Sequence, residues 1–168
     1  MKKYFNTKYI TLTAMITAVL VVVSLVTIFI KIGDSTFQLS TGLYIALCGL
    51  IPGPSMLITG IVYGAIIDMI NGGFIYIPLT IIINILIFLV ITASKKSKLI
   101  YLIMILASSL VFLYIPYSYL INNFEMSALI KEVIVDSVQF AVSCVAAIGL
   151  YCVLNKNRFK KLIFTDTF

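Results

Sequence analysis

Histidine and tryptophan are both absent from this 168-residue chain, and only 11% of it is charged. Without imidazole there is no histidine proton relay, general base or metal ligand. Without indole, an aromatic belt at a membrane interface must come from the ten tyrosines. The three cysteines, Cys48, Cys144 and Cys152, are scattered among apolar residues. Such an odd, unpatterned set reads as free buried thiols rather than a disulfide frame or zinc site. No GxxxxGK[ST], HExxH, paired-cysteine or nucleophile-elbow pattern occurs. Catalysis is therefore not expected, and neither is a cofactor or a metal.

What the chain has in abundance is apolar surface: 62% hydrophobic residues and a mean hydropathy of +1.17. A soluble domain is nearer half apolar and a quarter charged. The expectation is an all-α integral membrane protein, one domain over residues 1–168. In a soluble protein the net charge of +6 would point to nucleic acid. Here the basic residues flank apolar runs, so orientation and lipid headgroups explain them better and no nucleic-acid partner is expected.

Six apolar helices are expected, at about 10–30, 37–51, 54–70, 76–92, 98–116 and 127–154. The second and third come from one apolar stretch, Ala46 to Asp68, which Pro52, Gly53 and Pro54 interrupt. Each proline lacks a donor and clashes with the preceding helical turn, so the stretch must be two shorter helices. The fifth apolar run ends at Pro116. Ten of the twelve Lys and Arg fall at the two termini and in the loop Ser94 to Lys98; only Lys31 and Lys131 lie on the other side. The positive-inside rule then puts both termini in the cytoplasm. Five of the six acids, Asp34, Asp68, Glu125, Glu132 and Asp136, gather at the opposite, outer mouth.

Several polar residues stand out against this background. Asp34, Ser35, Thr36 and Gln38 form a dense polar set in the first connection, where a solvated loop is also expected. Thr80 and Asn84 share one helix face, and a buried Asn in lipid needs partners, either a neighbouring helix or a ligand. Glu132, Asp136, Gln139 and Ser143 follow a helical stripe whose first turns could stand above the bilayer and whose later members lie deeper. Asp68 ends the third helix before the turn Asn71-Gly72-Gly73, either capping that turn or serving a ligand. Ala14 and Ala18, and likewise Gly60 and Gly64, are four apart, a spacing that lets another helix approach closely. A few polar groups in an apolar, aromatic setting suit a small neutral or weakly cationic molecule, whereas the carboxylates repel anions.

The run IGDSTFQLS followed by LIPGPSMLITGIVYGAIIDMINGGFIYIPLT, with six short helices and Ala14-xxx-Ala18, resembles the S component of energy-coupling factor (ECF) vitamin transporters. The likeness is to the branch of riboflavin-type and B6- or hydroxymethylpyrimidine-type S components, and it covers residues 10–92. The resemblance implies a substrate-binding subunit of the bacterial plasma membrane. It would capture a vitamin outside, dock on a membrane coupling protein driven by two ATPase subunits, and topple to release its cargo. It implies Asp34, Thr36 and Gln38 as gate or contact residues. Thr80, Asn84, Asp136 and Gln139 would line the pocket, and Ala14 and Ala18 would be the docking face. A B6 vitamer or hydroxymethylpyrimidine is the first expectation for the ligand and riboflavin the second. The rival expectation is an autonomous transporter or channel that works as a homo-oligomer, with Gly60 and Gly64 as its dimer face.

Overall fold

In lipid every main-chain amide needs an internal partner, so an apolar chain folds into helices. The computed structural model, which describes residues 7–28, 31–32, 35–36, 38–51, 53–95 and 97–156, follows that rule. Helices α1 (Thr7–Ile28), α2 (Ser40–Leu50), α3 (Ser55–Ile70), α4 (Ile77–Ser94), α5 (Ile100–Ser108), α6 (Tyr114–Ile121) and α7 (Met126–Leu154) make up nearly all of it. Short 3-10 segments, Phe74–Tyr76 and Ser109–Leu113, lead into α4 and α6. Between α1 and α2, β1 (Lys31–Ile32) pairs antiparallel with β2 (Ser35–Thr36). Four stretches are long and apolar enough to cross a membrane: Tyr9–Thr27, Phe74–Ser94, Ile100–Ile121 and Met126–Leu154. The chain is thus built as a helical membrane protein. Helices α2 and α3 have 11 and 16 residues. At 1.5 Å per residue they are about 17 and 24 Å long, short of a ~30 Å hydrocarbon core.

The break between α2 and α3 follows from its residues. Ile51 leaves α2 with extended backbone (φ −90°, ψ 120°), Gly53 turns at φ +98°, and Pro54 immediately precedes α3. Glycine takes a positive φ without steric cost, and a proline at a helix start has no helical donor to lose. Pro52 lies outside the described residues. Pro116, in contrast, does not stop the fifth apolar run. It sits within the first turn of α6, where amide donors have no intrahelical acceptor, just after the tighter 3-10 segment. The helix runs on to Ile121, and the chain turns at Asn123 and Phe124, both at positive φ.

The short apolar helix α2 lies at the centre. Tyr44, Ile45, Ala46 and Cys48 of α2 are completely buried, and α2 packs against both α7 and α4. Its glycine explains the closeness: a Cβ on Gly42 would stand 2.7 Å from the Ala146 Cβ and 2.9 Å from the Ser143 carbonyl oxygen. Helix α3 packs against α1 and α4. A Cβ on Gly64 would meet the Asn84 Nδ2 at 2.6 Å and the Thr80 Cγ2 at 2.9 Å, and one on Gly60 would strike the Tyr44 hydroxyl. The Gly60/Gly64 face is therefore consumed by packing within the chain. Ala14 and Ala18 do the opposite: both are exposed on α1, beside exposed Met15, Val19 and Val22, so they do not pack inside the bundle. All three cysteines are free, but only Cys48 is buried; Cys144 is half-buried and Cys152 exposed.

Hydroxyl pairs tie α1 to the rest. Thr17 Oγ1 donates to Thr59 Oγ1 at 3.3 Å, and Ser24 Oγ to Ser40 Oγ at 2.6 Å. The second pair places the end of α1 beside the start of α2. At the far end of α2, the Lys95 ammonium donates to the Ile51 carbonyl at 2.5 Å, which brings the α2–α3 turn against the exit of α4. The bundle thus has two distinguishable ends.

Candidate functional site

At the end where α2 begins, a cavity of about 260 Å³ opens between α7 and the α3–α4 corner. Helix α7 contributes Glu132, Val135, Asp136 and Gln139, the spacing that a helix turns to one face. The corner contributes Asp68, Asn71, Gly73 and Tyr76, while Gln38 and Tyr114 stand between the two walls. The corner is shaped by its glycines. Gly72 adopts φ +73°, and the Gly73 amide donates to the Asp68 carbonyl at 2.8 Å. The main chain of Asp68 closes the turn, and the residue lines the cavity.

A narrow crevice continues inward from the cavity and shares Gln38, Tyr114 and Gln139 with it. Thr80 and Asn84 of α4 line this deeper part with Thr41 and Tyr63. Its hydrogen bonds belong largely to the fold. Asn84 Nδ2 donates to the Gly60 carbonyl at 2.9 Å, so the buried amide joins α4 to α3. The Tyr44 hydroxyl lies 3.1 Å from the carbonyl oxygens of both Met56 and Asn84 and donates between them. Thr80 Oγ1 is 2.7 Å from the Tyr114 hydroxyl and 3.1 Å from the Tyr76 carbonyl, to which it donates. Tyr117 donates to the Ile75 carbonyl at 2.7 Å, and its ring meets that of Tyr76 edge-on with centroids 5.8 Å apart. The tyrosines thus brace the mouth of the cavity.

Among the described residues four buried side-chain oxygens meet no partner: Ser55 Oγ, Ser143 Oγ and two carboxyl oxygens of cavity residues. Asp136 is 3% exposed and Asp68 7%, yet the Oδ2 atom of each is buried without a hydrogen-bond partner. Native proteins rarely leave such oxygens unmet, because the desolvation cost is not recovered. Glu132, one turn before Asp136, adds a like charge, and among the described residues no lysine or arginine lines the cavity. Its lining is rich in acceptors: the carboxyl groups of Asp68, Glu132 and Asp136 and the amides of Gln38, Asn71 and Gln139. Compared with known proteins, the chain matches no family model, no curated protein and no solved structure. The site therefore has to be judged from its own geometry.

The structure brings Gln38, Asp136 and Gln139 to the cavity, and Thr80 and Asn84 to the crevice behind it. Asp68 joins them. Asp34 lies outside the described residues. Thr36 is placed only through its backbone, in β2. Tyr76 and Tyr114 are the residues that sequence reasoning assigned elsewhere, to the interfacial belt. A signal was present: Tyr76, Thr80 and Asn84 recur every fourth residue, so they share a face of α4. Ala14 and Ala18 precede Ser24 on α1, Ala14 in the half of the helix away from the cavity and Ala18 near its middle.

Proposed function

We propose that this protein captures a vitamin-sized molecule in the acidic cavity, as the S component of an ECF-type importer. The observation that carries the reading is the pair of buried, unpartnered carboxylate oxygens, on Asp68 and Asp136, in a cavity that also holds Gln38 and Gln139. Both acids line the cavity, each with an oxygen that the fold leaves unpaired, and a ligand with donors is what would complete such a lining. In this reading all six apolar segments cross the membrane, with the termini and the Lys95 loop in the cytoplasm and the cavity outside. The charge asymmetry of the loops favours that orientation. Asp34 and Thr36 take the gate or contact role that the family resemblance implies. Ala14 and Ala18 offer a small-residue face to a coupling protein driven by two ATPases, and their exposure on α1 fits that use.

The cavity volume bears on the cargo. Ligand pockets commonly span ~300–1,000 Å³, so about 260 Å³ is small. A one-ring B6 vitamer or hydroxymethylpyrimidine fits better than tricyclic riboflavin. The rival reading, an autonomous homo-oligomeric transporter, relied on Gly60 and Gly64 as a dimer face; both glycines are buried against Tyr44, Thr80 and Asn84. Equilibrium binding of a vitamin panel to the purified protein tests the capture role. Submicromolar binding of one B6 or pyrimidine form is expected, and micromolar or weaker binding of all of them would discard that choice. The double variant Ala14→Trp/Ala18→Trp tests docking. It should keep vitamin binding and lose both transport and co-purification with the coupling protein; if both survive, the docking face is misassigned.

A further inference from the structure

We infer that the cavity selects a cationic one-ring ligand, whose positive nitrogen is held between the carboxyl groups of Asp68 and Asp136. The inference rests on the capture reading and narrows its cargo from a vitamin to a charge class. Two walls contribute independently. Asp136 comes from α7 and Asp68 from α3, each more than nine-tenths buried and each with one oxygen that meets no donor. Amide side chains could have supplied acceptors at lower desolvation cost, and Gln38 and Gln139 already do so in the same cavity. Carboxyl groups earn their place only against a donor that carries charge, because charge-assisted hydrogen bonds are about twice as strong as neutral ones.

The surroundings agree. Glu132 adds a third acid on the same wall, and among the described residues no lysine or arginine in the lining neutralises any of the three. Tyr114 lies within electrostatic reach of both aspartates, and its ring and that of Tyr76 line the same space with centroids 6.3 Å apart. Electron-rich ring faces beside paired acids favour a cation, most of all one on a flat ring that can stack. The Tyr114 hydroxyl is already held by Thr80, so its position is set before a ligand arrives. The small volume limits the flat group to one ring.

The test uses matched pairs that differ only by an ammonium or a hydroxyl. Purified full-length protein is titrated with pyridoxamine against pyridoxine, and with the 5-aminomethyl against the 5-hydroxymethyl form of 4-amino-2-methylpyrimidine. Equilibrium dialysis gives the affinities, and thermal unfolding reports ligand stabilisation. In at least one pair the ammonium member should bind about tenfold tighter or more, the size of a charged hydrogen bond. Asp136→Asn and Asp68→Asn should each shrink that preference toward unity, whereas Lys95→Met, remote from the cavity, should leave it unchanged. Equal or tighter binding of the hydroxyl members overturns the charge selection and leaves the capture reading standing. Binding of neither member of either pair overturns both. Stabilisation by sodium chloride alone, with no preference between the organic twins, would make the occupant an inorganic ion and likewise overturn the inference.

Discussion

The two ends of this bundle treat their charged groups in opposite ways. At the α2–α3 turn, Lys95 reaches the Ile51 carbonyl, and its cation sits where the last carbonyls of a helix attract one. That group is used up by the fold. At the other end the backbone of Asp68 closes the corner, while one carboxyl oxygen of Asp68 and one of Asp136 remain unmatched in residues that line a cavity. The α2–α3 end also leaves a buried neutral hydroxyl, Ser55 Oγ, without a partner, but only the cavity end leaves carboxyl oxygens so, and these are the groups on which the proposed capture role rests. The contrast teaches where to look for function in a chain with so little charge: at the groups the fold does not consume.

The largest effect should come from collapsing the contrast at the open end. Asp136→Leu removes a buried acid with an unmet oxygen, so thermal unfolding should show a protein about 1–3 kcal/mol more stable. The same variant should lose roughly a hundredfold in ligand affinity, the scale of truncating one side of a buried charged pair. Loss of stability instead would mean that the fold does use the carboxyl. The next effect attacks the shared centre. Gly64→Val would drive a side chain into Asn84 and Thr80 and should destabilise by about 1–3 kcal/mol, read in the same melt. Because Asn84 and Thr80 line the crevice, ligand affinity should fall as well.

Breaking the closed end should cost less and leave binding alone. Lys95→Met frees the Ile51 carbonyl and should destabilise by about 1 kcal/mol with no change in ligand affinity. The smallest effect is a pH dependence. Burial holds the Lys95 ammonium below the ordinary lysine value, so the native state gives up that proton before the unfolded state does. The unfolded state then binds more protons in the alkaline range just below that ordinary value, and stability attributable to Lys95 rises with pH there. The difference in melting temperature between wild type and Lys95→Met should shift in that direction across the window. A shift of opposite sign would show that the ammonium is favoured, rather than opposed, by its surroundings.

How much of this was legible in the sequence depended on whether a residue's chemistry or its direction was at issue. Gly53 and Pro54 announced the α2–α3 break through main-chain sterics alone, which no packing overrides. The α7 stripe of Glu132, Asp136 and Gln139 was visible because polar residues at helical spacing stand out in an apolar helix. Direction was harder. Helix α4 is so apolar that only Thr80 and Asn84 mark its inward face, too short a stripe to pull Tyr76 in with them, and Tyr76 read as one of the belt tyrosines. Tyr114 was hidden by Pro116, which signals a helix end until the 3-10 segment before it is known. Gly60 and Gly64 show the same limit. Their spacing demands a close neighbour, but only the structure shows that the neighbours are Tyr44, Thr80 and Asn84 of the same chain.

The most direct measurement of the capture role is mass spectrometry of whatever leaves the cell with the purified protein, run in parallel on wild type and on Asp136→Leu/Gln139→Leu. A single small molecule of vitamin size should accompany the wild type and be missing from the variant, even though the variant is folded by its melt. The same molecule at equal occupancy in both preparations would contradict the account, because it would be held somewhere other than the acidic cavity.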